Sequence, residues 1–320
     1  MSDKLLVFLN ELTEEEREEI REAAGRHGVP VCFAETEEEA EKEAAEATMI
    51  LAGNPGLIAA AKRLRWYCAH SAGVDHFISA WKDAPEGAVL SNSSGAYGVT
   101  ISEHIVMMLL EILRQREAYR EIVSRREWVR QLPVRSILGS CFTFLGTGDI
   151  GQETVRKIRG FRPASVVGLN RGGRNPEGLF DRVEKMEKLE EFLPETDVLV
   201  MSLPGTEETR HLLNARTLSL LPDNAVIINV GRGNSIDEEA LLGELRSGRL
   251  YAALDVFEKE PLPKDSPLYD APNLLITPHI SGNMTLPYTV QRITELFLED
   301  FERVMRSEKP QRAVDILLGY

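Results

Sequence analysis

The sequence has little cysteine: three in 320 residues. Cys32, Cys68 and Cys141 are scattered, odd in number and set in apolar runs. This excludes a disulfide-framed secreted scaffold, and the spacing suits no metal site, so none is expected. The thiols read as buried side chains of a reducing compartment. Long apolar runs are also missing. The longest, Ile105 to Leu110, is far too short to span a bilayer. Positive charge is scarce, with 37 Lys and Arg against 51 Asp and Glu and a net charge of −14. Nucleic acids and anionic membrane surfaces require basic patches, so neither is an expected partner. The start, Met1-Ser2-Asp3-Lys4, lacks a leader-peptide pattern, and a cytoplasmic location is the expectation. No low-complexity block or repeat of solenoid period is visible.

What the sequence does have is alternation. Short β-rich runs begin at Leu5, Val31, Met49, Trp66 and Ala88, separated by charged amphipathic stretches such as Thr13 to His27. Such alternation predicts a parallel sheet covered on both faces. A second alternating series follows from Phe142 onwards, with runs at Ser165, Val198, Ala225, Ala252 and Leu274. At this length two domains are the natural expectation. Between the series, Ser102 reads as the cap of a long helix towards Arg125, with Ile105, Met108, Leu109, Ile112 and Leu113 on one face. The tail from Pro287 reads as a helix to about Arg306 that can cross back onto the first domain.

The second series is organised around Phe142 to Gly151, read F-T-F-L-G-T-G-D-I-G. An apolar run enters Gly146, Gly148 and Gly151 in G-x-G-x-x-G spacing, and a helical pattern follows through Val155 and Ile158. A strand, a tight turn and a helix give each glycine a task. Gly146 makes the turn, Gly148 lets a pyrophosphate approach the backbone, and Gly151 lets the helix pack close. The phosphates then meet the free N–H groups of the helix start. The next run ends in Asn170-Arg171-Gly172-Gly173-Arg174. An NAD site places Asp or Glu here for the ribose 2′-hydroxyl; an NADP site removes the acid and supplies a cation for the 2′-phosphate. Asn170 is neutral, and Arg171 and Arg174 offer two guanidinium forks. NADP (NADPH) is therefore the favoured cofactor, with NAD possible. The alternative is an ordinary basic surface loop.

In open parallel sheets, ligands bind outside the carboxyl ends of the strands. Arg232, Glu260 and His279 stand just past three such ends. Arg232, flanked by Gly231 and Gly233, is a fixed cation whose planar fork fits a carboxylate. Taken alone, each has an ordinary structural reading: a surface arginine, a solvated loop acid, a packed histidine. The functional reading rests on all three appearing in order on strands of one sheet.

Read together, four motifs resemble the D-isomer-specific 2-hydroxyacid dehydrogenases. They are Gly146-x-Gly148-x-x-Gly151, Asn229-Val230-Gly231-Arg232-Gly233, Asp255-Val256-Phe257-x-x-Glu260-Pro261 and Thr277-Pro278-His279. The likeness extends to Ser71-x-Gly73-Val74-Asp75 and Ser102-Glu103-His104. It implies an α/β chain of two doubly wound parallel-sheet domains, a Rossmann dinucleotide domain inserted into a flavodoxin-like substrate domain. Residues 1–101 would be the first part of the substrate domain, 102–285 the dinucleotide-binding domain and 286–320 the returning helix.

The resemblance also implies roles. Arg232 would hold the substrate carboxylate and polarise the C2 carbonyl. His279 would exchange a proton with the carbonyl oxygen, and Glu260 would orient the imidazole and favour its protonated form. Backbone N–H groups around Ala72 and Gly73 would hold the other side of the carboxylate. Asp255 would lie near the nicotinamide amide, and Asp149 and Ile150 at the pyrophosphate turn. Val230 and Gly231 would also border the cofactor, as would Leu203, Pro204 and Thr209 on the adenosine side. Formate dehydrogenases of the superfamily carry Gln at the position of Glu260, which argues against formate. The implied activity is reversible NAD(P)H-dependent reduction of a small 2-oxoacid to the D-2-hydroxyacid, closest to the glyoxylate/hydroxypyruvate reductase branch. Family members are commonly homodimers joined through the dinucleotide domains, and the long helix from Ser102 and the Trp128 segment would contribute to such an interface. Tyr97, Trp128 and Met284 are candidates for the pocket wall. A dinucleotide-sensing interaction protein, like the corepressors of this superfamily, is the alternative.

Overall fold

A computed structural model describes residues 3–175 and 177–319. Met1 and Ser2, part of the segment read for a leader, lie outside the described residues, as do Pro176 and Tyr320. The chain divides into two compact units, Met1–Tyr97 with Met284–Tyr320, and Gly98–Asn283. These divisions fall slightly before the expected 102 and 286.

The first unit is built from β1 (Leu5–Phe8), α1 (Glu14–Arg26), β2 (Val31–Phe33), α2 (Glu37–Ala44), β3 (Met49–Ala52), α3 (Leu57–Ala60), β4 (Trp66–Ala69), α4 (Asp75–Ala80) and β5 (Val89–Ser91). Its five strands pair in parallel, in the order β2-β1-β3-β4-β5. β3 and β4 are buried along their whole length, as expected of strands covered on both faces. Thr13 caps α1 in a reciprocal box with Glu16, and Ile20, Ala23 and Ala24 form its buried stripe. The last helix of the chain belongs to this unit. Phe297 from it stacks on Trp66 of β4 with ring centroids 5.2 Å apart. The segment behind it runs back to β5, where Val314 N–H donates to Leu90 O at 2.8 Å. Past β4, Ser71 Oγ donates to Gly73 O at 2.7 Å and Asn92 Nδ2 to Ala72 O at 2.8 Å, which fixes the path of that loop.

The second unit starts with two helices, α5 (Gly98–Leu113) and α6 (Arg116–Ser124). The expected single helix capped by Ser102 is corrected on both counts. Ser102 lies inside α5, where its hydroxyl donates back to Val99 O at 2.9 Å. A serine can satisfy itself this way within a helix, so its presence did not mark the start. The break between the helices falls at Gln115, which takes the left-handed conformation (φ 56°). There follow β6 (Cys141–Leu145), α7 (Asp149–Ile158), β7 (Ser165–Asn170), β8 (Arg182–Lys185), α8 (Leu189–Phe192), β9 (Val198–Met201), α9 (Ala215–Ser219), β10 (Val226–Asn229), α10 (Glu238–Arg246), β11 (Tyr251–Leu254) and β12 (Leu274–Ile276), before α11 (Pro287–Met305) returns to the first unit. The seven strands are parallel, in the order β12-β11-β10-β9-β6-β7-β8. From β6 the chain moves one way to β7 and β8, then crosses to β9 on the other side. The glycine turn after β6 therefore stands at the topological switch point. The sequence showed six of these strands. β8 reads Arg-Val-Glu-Lys and lies at the sheet edge, where a charged strand needs no apolar run.

Candidate functional site

The turn after β6 has the shape of a phosphate cradle. Gly146 has φ +100°, and a Cβ there would lie 2.9 Å from Ser202 O. A Cβ at Gly151 would lie 2.6 Å from Gly146 O, so the first turn of α7 is pressed against the loop. Gly148 is the opposite case. A Cβ there would meet nothing within 4 Å, and as the residue before α7 it contributes no side-chain cap. Open space above uncapped helix N–H groups fits a dinucleotide pyrophosphate. Asp149 directs its carboxylate to the start of α5, where a Cβ on Gly98 would lie 2.5 Å from its oxygens. The Asp149 carboxylate is thus turned away from the space above Gly148, and Ile150 beside it is half-buried.

Asn170 does more than replace an acid. Its Nδ2 donates to Thr147 Oγ1 at 2.7 Å and to Arg174 O at 2.9 Å, and its Oδ1 accepts from Gly173 N at 2.6 Å. The side chain closes the loop that carries both arginines and ties it to the glycine turn. Arg171 and Arg174 are exposed, and the Arg171 fork lies 3.8 Å from Glu208 of the loop after β9. In that loop Leu203 is buried in the core. The Thr209 hydroxyl donates to Pro204 O at 2.7 Å and accepts from Thr206 N at 2.9 Å, so it holds its own loop together.

The loop after β10 carries Val230, Gly231 and Arg232. Asn229 pins it from below, accepting from Gly231 N at 3.0 Å and donating to Arg232 O at 2.9 Å. Gly231 and Gly233 are demanded by packing. A Cβ on Gly231 would fall 2.6 Å from Leu203 N, and one on Gly233 would fall 1.8 Å from the carbonyl carbon of Phe257. The Arg232 loop is thus pressed onto the peptide that opens the Glu260 turn. Arg232 is half-buried, and its Nη1 donates to Gly231 O at 2.8 Å.

Glu260 and His279 meet directly. His279 Nδ1 and Glu260 Oε2 are 2.6 Å apart, while Glu260 Oε1 accepts from Phe257 N at 2.9 Å. With Nδ1 engaged, Nε2 is the ring atom left to exchange a proton. His279 takes the left-handed conformation (φ 53°), and its N–H donates to Asp255 O at 2.8 Å. The Asp255 carboxylate holds the backbone beyond it, accepting from Ile280 N and Ser281 N, both at 2.9 Å, and from Thr277 Oγ1 at 2.6 Å. Asp255 is 0% exposed. The resemblance places it near the nicotinamide; in this geometry both of its oxygens are taken by the His279 loop. His104 of α5 extends the network, with Nε2 3.1 Å from Thr277 Oγ1. Burial lowers the His104 pKa below the ordinary histidine value, and Asp255 pulls it the other way.

The motifs point to Arg232, Glu260 and His279 but not to the contacts beneath them: the His104–Thr277–Asp255 chain and the seat of Gly233 on the Phe257 peptide. Ala72 and Gly73 belong to the first unit. Among the described residues no group of His, Cys, Asp and Glu could hold a metal ion, and no helix is long and apolar enough to cross a membrane.

Residues 106–281 match the family described as "D-isomer specific 2-hydroxyacid dehydrogenase, NAD binding domain". A protein named glyoxylate/hydroxypyruvate reductase A from Klebsiella pneumoniae is 32% identical over 269 residues, covering 81% of this chain and 83% of its own. The crystal structure of a D-isomer specific 2-hydroxyacid dehydrogenase family protein from Aeromonas salmonicida superposes with a TM-score of 0.85 at 34% identity, covering 99% of this chain and all of that one. An NADPH-dependent glyoxylate/hydroxypyruvate reductase from Sinorhizobium meliloti, solved with NADP and sulfate, gives a TM-score of 0.81 at 29% identity, with both chains fully covered. The motifs, the switch-point glycine turn and these matches agree: the chain belongs to the D-isomer-specific 2-hydroxyacid dehydrogenase family.

Proposed function

We propose that this chain is an NADPH-dependent reductase of small 2-oxoacids of the glyoxylate or hydroxypyruvate type, acting reversibly on the D-2-hydroxyacid. The observation that carries the reading is the Glu260–His279 pair, held at 2.6 Å on a loop that Asp255 fixes from below. NADPH, when bound, supplies the hydride. His279 gives the proton from Nε2 to the carbonyl oxygen and takes it back in the oxidative direction. Glu260 fixes the ring through Nδ1 and stabilises the imidazolium. Arg232 takes the substrate carboxylate in its planar fork. The names of the Klebsiella and Sinorhizobium relatives support the substrate class.

Asn170 in place of an acid, with Arg171 and Arg174 beside it, supports NADPH over NADH, as does the NADP in the Sinorhizobium complex. Gly146, Gly148 and Gly151, with the backbone of Asp149 and Ile150, would hold the pyrophosphate. Arg171→Ala should weaken NADPH binding and leave NADH binding near parental, which erases the preference. Equal loss of both cofactors, or a parent that prefers NADH, would contradict the clamp. The acid at Glu208 already stands by Arg171 and would compete for its fork.

We also propose a homodimer formed through the second unit. Trp128 is 88% exposed, and Val123, Val129, Val134 and Leu138 around it are exposed as well. So many exposed apolar side chains on one segment support an interface there. Light scattering should give twice the chain mass; a monomer at micromolar concentration would remove the dimer.

A further inference from the structure

The turn that carries Glu260 is held by a second carboxylate. Phe257 N donates to Glu260 Oε1 at 2.9 Å, and the next N–H, that of Glu258, donates to Glu238 Oε1 at 2.7 Å. Two neighbouring peptide groups thus seat two different acids. Glu238 is the first residue of α10, directly after the Arg232 loop, and Gly233 of that loop is pressed on the same Phe257–Glu258 peptide. The Arg232 loop, the start of α10 and the Glu260 turn form one packed body.

Charge runs through the same contacts. Burial raises the Glu238 pKa above the usual carboxylate value. The Glu258 N–H pulls it down, and the charges of Glu258 and Glu260 push it up again. The two carboxylates sit on successive N–H groups, which brings their charges close. The other titratable and charged groups around this body include His211, 2.5 Å from Glu258, and Arg232 on the loop before α10. Lys259 lies between the two turn acids, and Asp237 and Glu239 flank Glu238, with Asp237 committed to Ala240 N at 3.0 Å.

We propose that Glu238 is a positioning residue of the acid–base site, which seats the turn bearing Glu260 and adds a second negative charge to the surroundings of the Glu260–His279 pair. The proposal rests on the acid–base reading given above. The sign follows from charge. A second anion favours the imidazolium, so it carries the acid form to higher pH. That charge is present above the raised pKa of Glu238 and disappears below it.

Glu238→Gln keeps an oxygen for the Glu258 N–H but removes the charge; Glu238→Ala removes both. In Glu238→Gln the pH limb of 2-oxoacid reduction should move down by roughly half a unit, less than in Glu260→Gln, with a near-parental plateau. Glu238→Ala should show the same displacement together with a severalfold lower plateau. Both should bind NADPH as the parent does. The imidazole signal of His279, assigned by its loss in His279→Ala, gives a readout free of turnover. It should titrate at lower pH in Glu238→Gln. A parental titration and a parental limb in Glu238→Gln overturn the proposal, whatever Glu238→Ala does. A displaced His279 titration in a protein whose turnover survives His279→Ala would instead fault the acid–base reading and leave the role of Glu238 standing.

Discussion

His279→Ala should lower 2-oxoacid turnover by roughly a hundredfold or more, the usual scale of general acid catalysis, and leave NADPH binding close to parental. Reducing a ketone needs a proton at oxygen as hydride reaches carbon, because a free alkoxide is a poor product. A histidine suits the task, since its unperturbed pKa is about 6.5 and both forms are within reach near neutrality. The geometry adds orientation. Glu260 engages Nδ1, and Asp255 fixes the two peptides that follow His279, so the ring is held at both its Nδ1 and its backbone. Reduction should fall as pH rises through the range where the imidazolium gives up its proton, and oxidation should rise over the same range. Glu260→Gln should move both limbs to lower pH, because the cationic ring loses its anionic partner. A pH–rate profile in both directions checks this. Parental turnover in His279→Ala, or unmoved limbs in Glu260→Gln when chemistry limits the rate, would refute the assignment.

Arg232→Lys should lower kcat/KM for 2-oxoacids by roughly tenfold or more, with NADPH affinity little changed. The substitution keeps the positive charge, so a purely electrostatic role would survive it. What it loses is the planar pair of donors that a carboxylate meets in two parallel hydrogen bonds. The loop around Arg232 holds its backbone in place. Asn229 and Ser235 both donate to its carbonyl, at 2.9 and 2.7 Å, and neither flanking glycine has room for a Cβ. A lysine on the same backbone reaches the carboxylate with one flexible ammonium. Steady-state kinetics with direct measurement of NADPH binding separate the two steps. Unaltered kinetics would make Arg232 a structural residue.

Much of this was legible in the sequence because the signals are local. Met49–Ala52 and Val198–Met201 are apolar at every position, and strands buried on both faces require that. The glycine turn was readable because Gly146 and Gly151 are each needed by contacts within a few residues or one strand away. β8 was not readable, since an exposed edge strand of Arg, Val, Glu and Lys resembles a loop. The start of α5 was misplaced because Ser102 meets its hydrogen-bond needs inside the helix. Arg232, Glu260 and His279 stand out through their motifs, but the contacts that hold their loops span long stretches of chain. Asp255 reaches Ser281, His104 reaches Thr277, Gly233 rests on Phe257, and Glu238 holds the N–H of Glu258. No local pattern encodes such contacts, and they exist only once the sheet has brought the ends of β10, β11 and β12 together.

The most direct test of the proposed activity is NADPH and NADH consumption measured against a panel of 2-oxoacids. Saturable oxidation of NADPH with glyoxylate or hydroxypyruvate, and weaker turnover with NADH, is the result this reading predicts. A protein that binds NADPH but consumes none with any 2-oxoacid would contradict it. That behaviour would instead mark a dinucleotide-sensing interaction protein on the same fold.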